Sequence, residues 1–361
     1  MENKTYLYQK IYQTLKNDIV TGKYSYGSIL PSERILAETY DAWRATVRQA
    51  LDLLVEEGFV EKKAGLGTRV IYGSEDIPKQ DHTIGFFIAD DMTTSLQTDQ
   101  PYYSDLLYYL DIECKKHGCH FLFSTISSSS GLDNLLQNHF SLVVYLSHKN
   151  FDYLDILKEH NVPTILLNEK YKNYPVLAND QISTGFLATN HVIEMGHRRI
   201  GIITGPLSHL TVRRRLAGCY LALTEANIPN PTGSWMQVGN WEYESGYNSV
   251  KMMFSGESNN GTPTAIVSFN DIMAIGALRA LRDMGYRVPD DISVIGSDNI
   301  RQLVYTEPGL TTVDMKTQYT AKAIVVAALN QVFNQLAPGS NIITPVELIV
   351  RDTVKNLNHK I

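Results

Sequence analysis

Aspartate and asparagine recur in this chain directly after short apolar runs, at Ala89-Asp90-Asp91, Asn179-Asp180, Phe269-Asn270-Asp271 and Gly296-Ser297-Asp298-Asn299. Carboxylates accept hydrogen bonds and amides both accept and donate them, so such a set suits a polyhydroxylated ligand. Any one alone is as readily a turn former or helix cap; their repetition after successive runs points to a shared site. A second set is cationic and polar. Arg44, Thr46, Arg48 and Gln49 lie away from Val47, Ala50, Leu51, Leu54 and Val55, whose spacing buries one stripe of a helix. Cations and donors near the amino end of such a helix can read base edges in a major groove while flanking charges hold phosphates.

These side chains need particular elements to position them. Leu7, Ile11, Leu15 and Ile19 predict an amphipathic helix between Tyr6 and Val20. Ser32 is a helix-capping serine before Ile35, Leu36 and Tyr40, so a short second helix opens there. Gly58 ends the third helix, and Phe59-Val60 and Val70-Ile71 read as strands around Lys62-Lys63-Ala64-Gly65-Leu66-Gly67, a glycine-tipped hairpin. The whole is a winged helix-turn-helix over residues 1–72. Residues 73–82 are polar, contain Gly and Pro and lack periodicity, which marks a linker. From Thr83 to residue 361, near-continuous apolar runs at Ile84–Ile88, Phe121–Phe123, Leu142–Leu146, Thr164–Leu167, Ile200–Ile203, Ala265–Ser268 and Val294–Gly296 read as buried parallel strands. They alternate with helical patterns at Tyr103–Lys116, Ser183–Met195, Val212–Ala226, Glu244–Phe254, Ile272–Met284 and Gln318–Leu336, predicting a doubly wound α/β domain with ligands at the carboxyl ends of its strands. The Ser127–Ser130 run reads as a loop.

The chain has 361 residues, enough for two domains, and a net charge of −6. Residues 1–75 hold ten Lys/Arg and ten Asp/Glu, so the acidity lies beyond them and DNA affinity must come from cations gathered on one face. Three cysteines, Cys114, Cys119 and Cys219, form no paired framework and fit a reducing, cytoplasmic compartment. Cys114-Lys-Lys-His-Gly-Cys-His120 spans a predicted helix end and strand start, so its side chains diverge, and no metal or cofactor is expected. Neither a leader segment nor a run approaching the roughly 18 apolar residues of a membrane span stands out.

The order Leu30-Pro-Ser-Glu-Arg-Ile-Leu, Trp43-Arg-Ala-Thr-Val-Arg-Gln-Ala-Leu51, Leu54-Val-Glu-Glu-Gly58 and Gly65-Leu-Gly-Thr-Arg-Val70 closely resembles the GntR family of transcription factors. The resemblance implies phosphate or base contacts for Ser32, Arg34, Arg44, Thr46, Arg48 and Gly65. Trp43 stands where that family has a small hydroxyl residue, and Ala45 where it has Thr or Asn. Trp43 is read as packing on the domain or shielding the backbone, with a DNA contact as the alternative.

His191-Val-Ile-Glu-Met-Gly-His-Arg-Arg-Ile-Gly201, Arg215-Leu-Ala-Gly218, Phe269-Asn-Asp-Ile-Met-Ala-Ile-Gly-Ala277, Val288-Pro-Asp-Asp-Ile-Ser-Val-Ile-Gly-Ser-Asp298 and Leu310-Thr-Thr-Val313 resemble the LacI/GalR repressors and related periplasmic sugar-binding proteins. That resemblance implies a two-lobed periplasmic-binding-protein-like domain with Arg215, Asp298 and Asn270 in an effector cleft, Trp241 stacking on a sugar ring and Asp180 as a further contact; Asp90 joins the effector-binding candidates by its strand-end position alone, since the loop from Asp90 to Tyr103 departs from the pattern. Together the two resemblances match arabinose-repressor-type regulators. They imply a sequence-specific DNA-binding repressor controlled by a neutral pentose or deoxyhexose such as arabinose, and not an enzyme. A homodimer is expected on operator DNA, with Tyr103, Leu106, Leu107 and Leu110 as its surface. Three alternatives stand beside this: a sugar phosphate or acid at the helix after Gly205-Pro206, a GntR-fused enzyme, and a plain sugar-binding protein. No ordered nucleophile–base pair, phosphate loop or cofactor lysine supports the second. Effector binding is expected to relieve repression, through a coupling of about 1–3 kcal/mol between cleft and head.

Overall fold

The computed structural model describes residues 7–20, 23–56, 59–63, 67–72, 82–90, 101–255, 261–330 and 336–358. In the head, α1 (Leu7–Val20), α2 (Glu33–Thr39) and α3 (Arg44–Glu56) bury Ile11, Leu15, Ile19, Leu36, Val47, Leu51 and Leu54. The three- and four-residue apolar spacing is thus largely the inward stripe of each helix, but Leu7, Ile35 and Val55, expected on that stripe, sit at its edge and are exposed. β1 (Val60–Lys63) pairs antiparallel with β2 (Gly67–Val70), from Val60 opposite Val70 to Lys63 opposite Gly67. The pairing reaches further towards the tip than the apolar pairs alone indicate. Gly67 holds φ +98, a backbone region that favours glycine. Gly58 and Gly65 lie outside the described residues.

After the head come β3 (Thr83–Ala89), α4 (Pro101–Lys116), β4 (His120–Ile126), α5 (Ser129–Leu135), β5 (Leu142–Leu146), α6 (Tyr153–Glu159), β6 (Thr164–Leu167) and β7 (Val176–Asn179). Then follow α7 (Gln181–Glu194), β8 (Ile200–Thr204), α8 (Leu210–Glu225), β9 (Met236–Val238), α9 (Tyr243–Phe254), β10 (Ala265–Ser268), α10 (Asp271–Asp283), β11 (Ser293–Asp298) and β12 (Thr311–Asp314). The last elements are α11 (Thr317–Leu329), β13 (Asn341–Thr344) and β14 (Glu347–Ile349). Two six-stranded sheets result. One has the order β13-β7-β6-β5-β3-β4 and is parallel throughout; the other, β14-β12-β11-β10-β8-β9, is parallel apart from the β12–β14 edge pair. Because β13 rejoins the first sheet and β14 the second, the chain crosses between lobes three times, at 179–181, 314–317 and 344–347.

Several expectations need correction. Ser128 accepts from Gly131 N at 3.1 Å and caps α5, so the serine run begins a helix. Tyr103, Leu106 and Leu110 are buried in the first lobe, where α4 packs on α11, so they cannot form a partner surface; Leu107 packs half-buried against the same core. His82, read as the last linker residue, is buried, with Nδ1 2.7 Å from Ser141 Oγ, and belongs to the lobe; residues 73–81 lie outside the described residues.

Candidate effector cleft and DNA-reading surface

Between the lobes lies a cleft with an accessible cavity volume of about 70 Å³. Arg215, Asp298, Asn270 and Trp241 all line it. Arg215 sits on α8 and is 5% exposed. Its Nε and Nη2 donate to Gln181 Oε1 at 3.0 and 2.6 Å, and its Nη1 donates to the carbonyl of Phe269. These bonds hold the guanidinium rigidly at the cleft wall. Trp241 has φ +76, and its indole lies over Gly205, where a Cβ would come within 2.3 Å of the ring.

Asp298 ends β11 with φ +119, a strained value for a residue with a side chain. Among the described residues nothing donates a hydrogen bond to its carboxyl group. Burial, reinforced by the neighbouring Asp271 carboxyl and opposed by Arg215, pushes its acid well above the ordinary carboxylate range. Asp271 is also raised, chiefly by burial, although Thr312 Oγ1 and Ile300 N donate to it at 2.6 and 3.1 Å. Both groups hold a proton more tightly folded than unfolded. Their contribution to stability is therefore complete below about pH 4, the unfolded carboxylate value, and is lost as pH climbs through their raised folded values. Asp298→Asn is expected to gain melting temperature relative to wild type as pH is raised from 5 to 8; a pH-independent difference would contradict this.

Not every predicted residue faces the cleft as a free group. Asn270 lines it, but Oδ1 accepts from Met273 N at 2.9 Å as the cap of α10, and Nδ2 donates to Trp241 O at 2.9 Å. It positions the indole. Asp180 instead caps α7, accepting from Ser183 N at 3.0 Å and Ser183 Oγ at 2.7 Å, and is not among the lining residues. Asp90 is exposed, accepts from Asn150 Nδ2 at 2.8 Å and is likewise outside the lining. In both cases local side-chain hydrogen bonding wins over a distant ligand.

The cleft also holds two histidines that no motif marked, and Asn179, which the strand-end pattern did mark. His148, after β5, and His209, before α8, both line the cleft and stack with ring centroids 3.8 Å apart. His148 Nδ1 lies 3.0 Å from Glu169 Oε1, and Trp241 Nε1 donates to His209 Nδ1 at 3.3 Å. Asn179 joins the three crossovers: its Nδ2 donates to Met315 O and Thr344 Oγ1, both at 2.9 Å, while its Oδ1 accepts from Tyr102 Oη at 2.6 Å. Arg301 reaches from the turn after β11 to Asp105 on α4, with Nε 2.7 Å from Oδ1, a further lobe-to-lobe contact. Single-residue spacing carries no signal for such meetings, since each pairs residues from different strands or lobes.

In the head, Ser32 Oγ caps α2, accepting from Ile35 N at 3.4 Å. Arg34, Arg44 and Arg48 are exposed, and Thr46 is half-buried. Arg34 pairs with Glu38 at 2.7 Å, while Arg48 forks onto Glu33 at 3.1 and 2.8 Å and holds that carboxyl below its ordinary range. Arg44 lies 4.0 Å from the same carboxylate. Exposed pairs of this kind are screened by water and contribute little, so an incoming phosphate can compete for them. Trp43 is 83% exposed, which overturns its reading as a packing residue.

Burial pushes the Cys114 thiol up to about 12 and raises Cys119 as well, away from the thiolate a metal needs. Among the described residues no group of three or more His, Cys, Asp or Glu comes together as a metal site, and no helix is long and apolar enough to cross a membrane.

Comparison with known proteins decides the family. The HTH-type transcriptional repressor PurR of Haemophilus influenzae (strain PittEE) is 32% identical over 278 residues, 74% of this chain and 80% of that protein. The periplasmic binding protein-like domain matches residues 189–354. The chain belongs to the PurR and LacI family of transcriptional repressors. The head of this repressor matches the gntR family of bacterial regulatory proteins over residues 7–70. Among solved structures, a transcriptional regulator LacI from Bacillus cereus subsp. cytotoxis shares the fold, with a TM-score of 0.66 and 24% identity over 77% of this chain and 99% of that one. The lac repressor dimer bound to operator and the anti-inducer ONPF aligns with a TM-score of 0.63 and 26% identity over 77% and 95%. This repressor is a DNA-binding regulator, and the relatives it resembles are regulators rather than enzymes.

Proposed function

We propose that this repressor acts in the cytoplasm as a homodimer, binds its operator through Ser32, Arg34, Arg44, Thr46, Arg48 and the hairpin tip at Gly65, and releases it when a small neutral carbohydrate occupies the cleft. The observation that carries the effector reading is the convergence of Arg215, Asp298 and Trp241 on one cavity. They supply a donor fork, a carboxyl without a hydrogen-bond donor and an aromatic face, which together suit a ring bearing several hydroxyls. One feature disfavours an anion: the Asp298 carboxyl shares the cleft with Arg215 and interacts electrostatically with it. A neutral pentose or deoxyhexose, arabinose among them, fits these groups.

Dimerisation is supported by exposed apolar side chains rather than by the buried face of α4. Val304 and Tyr305 are 77% and 87% exposed, and Arg301 of the same turn lies over the ring of Tyr108, itself 48% exposed. A two-fold contact there would set the spacing of paired heads on a two-fold operator.

A thermal-shift panel of neutral sugars, their phosphates and flat heterocycles tests the effector. At one hundred times its dissociation constant a ligand adds about 2.7 kcal/mol to stability. A shift from a neutral monosaccharide is the expected result. A shift only from phosphates, acids or heterocycles would replace the carbohydrate assignment and leave the DNA-binding role standing.

A further inference from the structure

We propose that Trp43 is a sequence-selective contact to operator DNA, its indole packing on a thymine methyl group in the major groove where α3 enters it. The proposal rests on the DNA-reading role of the head. Trp43 immediately precedes α3, and its carbonyl accepts from Thr46 N at 2.9 Å and Val47 N at 3.1 Å. Its backbone is therefore fixed to the first turn of the helix. Its side chain is not: among the described residues no hydrogen bond, ring contact or cation holds the indole, which is 83% exposed.

A tryptophan left in water at one fixed point needs a partner, because its large apolar surface gains by burial. The surroundings select which partner. Arg44 and Arg48 are exposed beside it, with side chains 65% and 57% accessible, and the amino end of α3 adds partial positive charge. An apolar ring set among cations is complementary to a polyanion with apolar groups recessed between its phosphates. The thymine methyl is the apolar group that the major groove displays. A protein partner would need a wider apolar patch, whereas the neighbouring residues Asp41, Arg44 and Ala45 present charge or little surface. A small hydroxyl residue here would bond a phosphate or base edge; the indole reads shape and methyl groups instead.

The test uses the full-length protein and a random-sequence duplex library. Duplexes enriched by wild type are expected to carry a thymine at a position where those enriched by Trp43→Ser show no preference, and Trp43→Phe keeps the thymine. Replacing that thymine by uracil removes one methyl and weakens wild-type binding about fourfold, as expected for the loss of one buried methyl-sized group. The same replacement leaves Trp43→Ser unchanged. The slope of affinity against salt is equal in wild type and Trp43→Ser, because the indole neutralises no phosphate, whereas Arg44→Ala lowers it by about 1. Identical enriched sequences and affinities for wild type and Trp43→Ser would overturn the proposal and turn the indole towards a protein partner. Enrichment of no sequence by wild type would overturn the DNA-reading role itself, and the contact with it.

Discussion

Gly218→Ala is expected to destabilise the effector domain by about 3 kcal/mol or more, because the added carbon has no room to occupy. Helices α7 and α8 cross where Gly218 and Gly185 each face the other helix's backbone. A Cβ on Gly218 would stand 2.0 Å from Ile182 O, and one on Gly185 would stand 1.9 Å from Arg215 O. Both obstructions are main-chain oxygens, which cannot swing aside as a flexible side chain would, so the helices must separate. Separation opens the packing of Ala188, Val192, Cys219 and Ala222, all at most 1% exposed. It also moves Arg215, less than one turn from Gly218, off Gln181. A fall in melting temperature of roughly 6–12 °C follows from the usual scaling for a domain of this size. Ala217→Ser, on the exposed side of the same helix, should change it little. A Gly218→Ala protein melting within a degree of wild type would refute the close crossing.

Arg215→Ala is expected to weaken effector binding at least about 30-fold, so that operator binding persists at effector concentrations that release the wild type. Truncating one member of a buried, hydrogen-bonded charge group costs about 2–5 kcal/mol, much of it from partners left unpaired. Here those partners are Gln181 Oε1 and the Phe269 carbonyl, and Asp298 loses the cation that draws its acid down. Calorimetric titration with the sugar identified by thermal shift gives the affinity directly, and operator binding with and without that sugar gives the response. Wild-type affinity in Arg215→Ala would remove the guanidinium from the effector site.

Much of this architecture was legible in the sequence because it depends on local spacing. Val47, Ala50, Leu51 and Leu54 form the buried stripe that their intervals require, and all seven apolar runs after Thr83 are strands. Runs such as Leu142–Leu146 must be covered on both faces, which only the middle of a layered sheet provides. By contrast β9 and β14 are three-residue, partly exposed strands that exist only because a neighbour supplies hydrogen bonds, so their own composition carries little signal. The same holds for β13, whose residues pair with β7 residues 165 positions earlier, Asn341 with Val176 and Thr344 with Asn179.

By itself the sequence determined the winged head, the doubly wound domain and the presence of Arg215, Asp298, Asn270 and Trp241, since periodicity and ordered motifs are properties of contiguous residues. Only the tertiary structure decided which polar groups remain available. Asp180 is consumed by its own helix, Asn270 holds Trp241 in place, and Asp298 finds no donor among the described residues. The tertiary structure also brought His148 to His209 and tied three distant crossovers to Asn179. A hydrogen bond depends on a distance of about 3 Å and a direction, and between residues separated by tens to hundreds of positions only the folded chain sets either.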